Sequence, residues 1–164
     1  MKNIKTMMAI LSVVVFTTPA FADEPYGVNS DEQKATATVE AQKSEALEAL
    51  NKACGTKATA TINWKAYASF SASDLDGRTM DNVYQIAEAQ TLDVLREMAF
   101  GCTSDAFYKS NVTKKLKAIS FTPVKGEVSV KNPSHTYKLS NGTLAVNYNF
   151  QTTNSSINDV KKSF

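Results

Sequence analysis

The sequence predicts an α+β domain with one disulfide. In this domain, an antiparallel sheet of about four to five strands has helices packed on one face. Three observations lead to this fold class. Two long segments space their apolar residues as helices do, and a glycine and a cysteine mark the end of each, in Ala53-Cys54-Gly55 and Gly101-Cys102-Thr103. Elsewhere, apolar and polar residues alternate as in strands with one buried face. Helices followed by a run of strands are typical of an α+β domain.

Three helices are expected in the first two thirds of the chain. Ser30 with Gln33 matches a capping box, which predicts a helix that runs to Ala53. Helical spacing returns from about Thr79 to Phe100. Ser104 is then placed to cap a shorter helix that reaches Leu116, with lysines near its negative pole. Asn154 or Ser155 is expected to begin a final short helix.

The strands are predicted from alternating apolar residues. The first follows Thr56, and the others precede and follow Asn141-Gly142, a sequence that favours a two-residue hairpin turn. Pro123 would weaken or end one strand, which places that strand at an edge. The residues expected to mark the strands are Ala58, Ala60, Ile62, Trp64, Ile119, Phe121, Val128, Val130, Tyr137, Leu139, Leu144, Val146, Tyr148 and Phe150.

Cys54 and Cys102 are predicted to form a structural disulfide between the ends of two helices. They are the two cysteines of the chain, and a chain with an export signal meets an oxidising compartment. Closing a loop of about 50 residues stabilises a fold by roughly 4 kcal/mol in the chain-entropy model. The alternative is a pair of unrelated buried thiols.

Residues 1–22 are predicted to be a signal peptide that is cleaved after Ala22. Lys2 and Lys5 precede a short apolar run, and small residues stand before the expected cut. The run is too short to span a bilayer. We therefore expect a periplasmic or secreted bacterial protein with a flexible leader over residues 23–29, a single domain over residues 30–164, and no membrane contact after cleavage.

The charge of the expected mature chain is formally zero, because the acidic residues all follow residue 22 and two of the lysines precede it. A neutral chain gives no support for nucleic-acid binding. The charge is unevenly spread, however: residues 23–105 carry 7 basic and 14 acidic side chains, and residues 106–164 carry 9 and 2. This asymmetry would either hold the two halves together or steer a charged partner such as another protein.

Few residues are available for catalysis, and no catalytic residue, metal ligand or cofactor is predicted. The single histidine, His135, lies at a strand boundary, where an exposed turn residue is the simpler interpretation. Asp74 and Asp76 lie in a polar turn that resembles part of a calcium loop, but the turn lacks the full ligand spacing. A weak cation site there is the alternative to an ordinary turn before the next helix.

Trp64, Tyr67 and Phe70 recur every three residues between a strand and a turn. If they are buried, they close one end of the core. If they are exposed, they form an aromatic surface for contact with a partner.

The function expected from these observations is non-enzymatic binding of another macromolecule, as in inhibitors of cell-wall enzymes or immunity proteins. One alternative is a small-ligand carrier with a pocket between sheet and helices, since Ala58 and Ala60 beside Trp64 would leave space. A second alternative is a weak hydrolase that uses His135.

Overall fold

The computed structural model describes residues 30–70, 74, 80–125, 135–149 and 160–164. Within these residues, the chain forms four helices and four strands. In order they are α1 (Ser30–Cys54), β1 (Thr59–Ile62), α2 (Trp64–Ala68), α3 (Met80–Ser104), α4 (Ala106–Lys115), β2 (Ala118–Val124), β3 (His135–Ser140) and β4 (Thr143–Asn149).

The four strands form one mixed sheet in the order β1-β2-β4-β3. β1 pairs parallel to β2, β2 pairs parallel to β4, and only β3 and β4 are antiparallel. The prediction of an antiparallel sheet was therefore wrong. The edge position predicted for the strand with Pro123 was wrong as well, because β2 lies between β1 and β4; the strand tolerates Pro123 because β1 ends opposite Phe121. Three helices lie between β1 and β2 along the chain, and so long a connection allows the second strand to run in the same direction as the first.

One side of the sheet contributes to the core in regular rows. Ala60, Ile119 and Leu144 lie opposite one another in β1, β2 and β4 and are all buried. The next row consists of Ile62, Phe121 and Val146, which are buried as well. These side chains share one hydrophobic cluster with α1 and α3, which pack mainly against each other.

Asn63 ends the first strand earlier than its alternating pattern predicts. The side chain of Asn63 accepts a hydrogen bond from the backbone N–H of Ala66 at 3.0 Å, and it thereby caps α2. Trp64 is consequently the first residue of a helix and not a strand residue, which corrects its predicted place on the sheet.

The corner between α3 and α4 also differs from the prediction. α3 continues beyond Phe100 to Ser104, so Gly101 is a helical residue and not a helix stop. Asp105, and not Ser104, caps α4: its carboxylate accepts hydrogen bonds from the N–H groups of Phe107 and Tyr108, both at 3.0 Å. The hydroxyl of Ser104 instead donates to the backbone oxygen of Phe100.

Two predicted backbone features are confirmed. Gly55 follows the last residue of α1 with a φ of 69°, as a helix stop requires. Asn141 and Gly142, with φ of 51° and 85°, form the turn between β3 and β4.

Several predictions lie outside the described residues. They concern the signal peptide and leader, the strand at Val128 and Val130, the strand residue Phe150, and the start of the last helix at Asn154 or Ser155. The capping contacts of the Ser30 side chain are also outside them, although α1 does begin at this residue.

Candidate interaction surface

The disulfide joins the C-terminal ends of α1 and α3. Cys54 and Cys102 are bonded to each other, with their Cα atoms 5.1 Å apart, and both residues are buried. Because the chain has two cysteines, this bond leaves no free thiol. The predicted pairing is confirmed.

α4 is attached to the same place by hydrogen bonding and packing. The hydroxyl of Thr113 in α4 donates to the backbone oxygen of Cys54 at the end of α1. Tyr108, Val112 and Leu116, spaced by four residues, are buried on the inner side of α4. The bridged ends of α1 and α3 therefore have α4 fixed across them.

Tyr108 is the central contact of this corner. Its ring lies so close to Gly101 that a Cβ atom at that position would be 2.7 Å from Cε1 of the ring. Phe164 packs edge-on against the ring with centroids 5.6 Å apart, and the ammonium group of Lys161 lies 5.6 Å from the ring centroid. Burial raises the pKa of the Tyr108 hydroxyl above its ordinary value, so this side chain stays neutral at physiological pH.

Two large apolar side chains project from this corner into solvent. Phe100, one turn before the end of α3, is 69% exposed, and Phe107, in the first turn of α4, is 79% exposed. They flank Gly101 and Tyr108, which are the residues that hold the two helices in contact. In a chain whose other described large apolar residues are at least half-buried, two exposed phenylalanines in one corner need an explanation.

Lysines surround these phenylalanines on α4. The segment 106–117 contains four lysines and no acidic residue. Lys109 and Lys114 are exposed, and Lys114 lies seven residues after Phe107 and so on the same side of the helix. We refer to Phe100, Phe107 and Lys114, together with Lys109 on the opposite side of α4, as the corner surface.

The ion pairs seen among the described residues include Lys34–Asp31, Lys43–Glu40 and Lys125–Asp74. The last of these joins the acidic first part of the chain to the basic second part, at 2.8 Å. On α4, the ammonium group of Lys115 donates to the oxygen of Phe164, whereas Lys109 and Lys114 are exposed to solvent.

The predicted aromatic residues lie elsewhere, around α2. Trp64 and Tyr67 are buried, with ring centroids 5.2 Å apart, and Tyr67 also lies 6.2 Å from Tyr148 of β4. The indole N–H of Trp64 donates to the carboxylate of Glu40 at 2.8 Å. Phe70 is half-buried, with the ammonium group of Lys125 5.0 Å from its ring centroid. This placement matches the interpretation in which the aromatic residues close one end of the core, and it gives their role in partner contact no support.

The carboxylate of Asp74 forms an ion pair with the ammonium group of Lys125. The same ammonium group donates to the backbone oxygen of Ser69 at 2.6 Å. A cation on Asp74 would have to displace this lysine, and Asp76 lies outside the described residues. Among the side chains that the structure describes, no three His, Cys, Asp or Glu residues are grouped to hold a metal ion.

His135 begins β3 and stacks on Tyr137, with ring centroids 6.2 Å apart and nearly parallel planes. It is half-buried, which differs from the exposed turn residue that its sequence position suggested. Burial lowers the pKa of its imidazole below the ordinary value.

Sequence reasoning did not identify Phe100 and Phe107, although the pattern contained a signal. The apolar stripe of α3 includes Val94, Leu95 and Met98, and Phe100 is out of phase with it. Phe107 is likewise out of phase with the spacing by four residues that buries Tyr108 and Val112. An apolar residue that falls on the polar side of a helix is the signal that would have found both.

Comparison of the chain with protein-family models, curated proteins and solved structures found no match. The described helices include none that has both the length and the apolar character needed to cross a bilayer.

Proposed function

We propose that this chain is an exported, non-enzymatic protein that acts by binding another macromolecule or macromolecular surface, and that the corner surface makes the contact. The observation that supports this proposal is the exposure of Phe100 and Phe107 on a helical corner that also carries exposed lysines.

The cost of this exposure favours a binding role. Burying a phenylalanine side chain is worth about 1.5–3 kcal/mol relative to leaving it in water. Phe100 and Phe107 do not contribute this energy to folding, because both side chains are largely in solvent. The energy becomes available when a partner covers them, and aromatic residues are the usual anchors of such contacts.

The rigid attachment of the corner supports the same role. A binding surface loses less conformational entropy when the backbone beneath it is already fixed. Here the disulfide, the Asp105 cap and the contact between Gly101 and Tyr108 fix the backbone on both sides of the two phenylalanines.

Site-specific photo-crosslinking in an expressing bacterium tests the proposal. A photoreactive phenylalanine analogue is placed at position 107 and, separately, at position 100. The matched controls carry it at Lys65 or Lys138, which are also exposed but lie on α2 and β3. We expect discrete adducts from positions 100 and 107 alone. Equal labelling at all four positions, or no adduct from a folded and oxidised protein, would contradict the proposal.

The small-ligand carrier and the weak hydrolase stay as alternative predictions. Ala58 and Ala60, on which the carrier was based, are both buried within the hydrophobic cluster. Neither alternative accounts for the exposure of the corner.

A further inference from the structure

We propose that the corner surface docks on an anionic lipid surface, with Phe100 and Phe107 inserted at the headgroup boundary and the lysines in contact with acidic headgroups. This inference rests on the proposed function, because it names the target of the same surface. It describes a peripheral and reversible contact, which requires no membrane-spanning helix.

The residue types of the corner surface are those of a membrane contact. Segments that lie on membranes place phenylalanine or another large apolar residue beside a lysine-rich or arginine-rich face. At the corner, Phe107 and Lys114 lie on the same side of α4, whereas Lys109, two residues after Phe107, is exposed on the opposite side of the helix. The apolar side chains would enter the boundary, while the lysine ammonium groups stay at headgroup level on their flexible stems.

The basic residues beside Phe107 favour a lipid target over a protein target. The cores of protein–protein interfaces are enriched in arginine and depleted in lysine. The basic residues in segment 100–117 are all lysines, namely Lys109, Lys114, Lys115 and Lys117. Lysine acts as a compact point charge, which suits attraction to a surface of many negative headgroups and does not require a matched recess.

Charge balance at the corner points the same way. Asp105 is the acidic residue nearest to Phe107 in the chain, and its carboxylate already accepts hydrogen bonds from two N–H groups of α4. On the side of α3, Asp93 and Glu97 are balanced only in part by Arg96, which lies one turn before Phe100. Attraction to anionic lipid therefore comes mainly from α4, and Phe100 contributes apolar contact.

The sequence predicts no membrane contact, because no stretch after the expected signal peptide is long and apolar enough to cross a bilayer. That reasoning addresses spanning segments only. Docking of a folded corner depends on exposed side chains, which the structure reveals and the hydropathy of the chain does not.

The experiment measures binding of the purified, oxidised mature protein to vesicles by sedimentation. One set of vesicles contains phosphatidylglycerol and phosphatidylcholine in equal amounts, and the other contains phosphatidylcholine alone. We expect binding to the anionic vesicles, little binding to the neutral ones, and loss of binding as salt screens the lysines.

Two double variants test the corner surface. F100S/F107S removes the apolar contacts, and K109E/K114E reverses the charge; each is expected to weaken binding about tenfold or more. K65E/K138E has the same change in net charge at two exposed positions away from the corner and should bind like the wild type. F107W, which keeps a large aromatic side chain, should bind at least as well as the wild type. Unfolding curves confirm that each variant is folded, since all the substituted side chains are exposed.

Absence of binding to anionic vesicles by the folded wild-type protein would overturn the inference, as would equal loss in K65E/K138E and K109E/K114E. The photo-crosslinks separate this failure from that of the proposed function. Protein adducts at positions 100 and 107 without vesicle binding would leave the binding function in place with a protein target. Lipid adducts at these positions together with vesicle binding would support both.

Discussion

Gly101 lies inside α3, where the ring of Tyr108 occupies the space that a side chain would need. Two effects oppose each other when it is replaced by alanine. In an open helix, alanine is more favourable than glycine by about 1 kcal/mol. Here the new Cβ would meet Cε1 and Cδ1 of Tyr108 at 2.7 Å and 2.9 Å, and forced overpacking costs about 1–3 kcal/mol.

We therefore expect Gly101→Ala to lower the free energy of unfolding, measured by urea titration. In the background of Tyr108→Ala the ring is absent, and the same substitution should then stabilise the protein. A stabilising effect of Gly101→Ala in the wild-type background would contradict the close contact that holds α3 against α4.

His135 gives a second prediction at the residue scale, in the dependence of stability on pH. Burial lowers the pKa of its imidazole in the folded protein, whereas the unfolded chain keeps the ordinary value of about 6.5. As the pH falls below this value, the unfolded state binds a proton that the folded state resists, so stability decreases.

The change to test this is His135→Asn, which removes the titrating group. The difference in unfolding free energy between pH 7.5 and pH 5.5 is expected to be smaller in this variant than in the wild type. Carboxylates titrate in both proteins. Subtracting the pH-dependent change in unfolding free energy of the variant from that of the wild type removes their contribution. Identical pH dependence in the two proteins would show that the imidazole is not held in a buried environment.

At the scale of elements, one asparagine sets the path of the chain from α1 into β1. The side-chain amide of Asn51 donates to the backbone oxygen of Ala58 at 2.9 Å, and its oxygen accepts from the backbone N–H of Ala58 at 2.9 Å. The same oxygen accepts from the hydroxyl of Thr56 at 2.6 Å. Asn51 thus links the helix end beside the disulfide to the start of the sheet.

Asn51→Ala removes all three hydrogen bonds and leaves partly buried backbone groups without their partner. At about 1 kcal/mol for each net hydrogen bond, we expect a loss of roughly 2–3 kcal/mol in the free energy of unfolding, measured by chemical denaturation. Asn63→Ala, at an exposed cap of the short helix α2, is the matched control and should cost about 1 kcal/mol. Equal effects of the two substitutions would argue against the role of Asn51 as a clamp.

The elements also show how far the sequence predicts this fold. The sequence Asn141-Gly142 predicted the turn between β3 and β4, because a two-residue hairpin turn requires positive φ and both residues accept it. The alternation of Ala58, Ala60 and Ile62 predicted which side chains are buried. It does not encode the direction of the neighbouring strand, because parallel and antiparallel partners bury the same alternate residues. The strand directions of the mixed sheet therefore could not be predicted from the sequence and were seen only in the structure.

The candidate surface was less predictable than the fold for a related reason. A period of 3.6 residues identifies the side of α3 that includes Val94 and Met98, but it does not say whether another element covers Phe100. Burial of Trp64 and exposure of Phe107 depend on contacts between distant segments. Tyr67 and Tyr148 pack together beside Trp64, although they are 81 positions apart in the sequence.

For the whole molecule, the account depends on the bond between Cys54 and Cys102. It joins residues 48 positions apart and lies buried between the two long helices. α4 packs over this junction and presents Phe107 and Lys114 on its outer side. The disulfide therefore stabilises both the domain and the backbone beneath the corner surface.

The most direct measurement is the thermal unfolding of the oxidised mature protein beside that of a Cys54→Ser/Cys102→Ser variant. Loss of a bridge that closes a loop of this length costs about 4 kcal/mol, which corresponds to a fall in Tm of roughly 10–15 °C for a domain of this size. The wild-type cysteines should also resist alkylation until a reductant and a denaturant are both present. Equal Tm values for the two proteins, or two alkylated cysteines in untreated wild-type protein, would contradict the account.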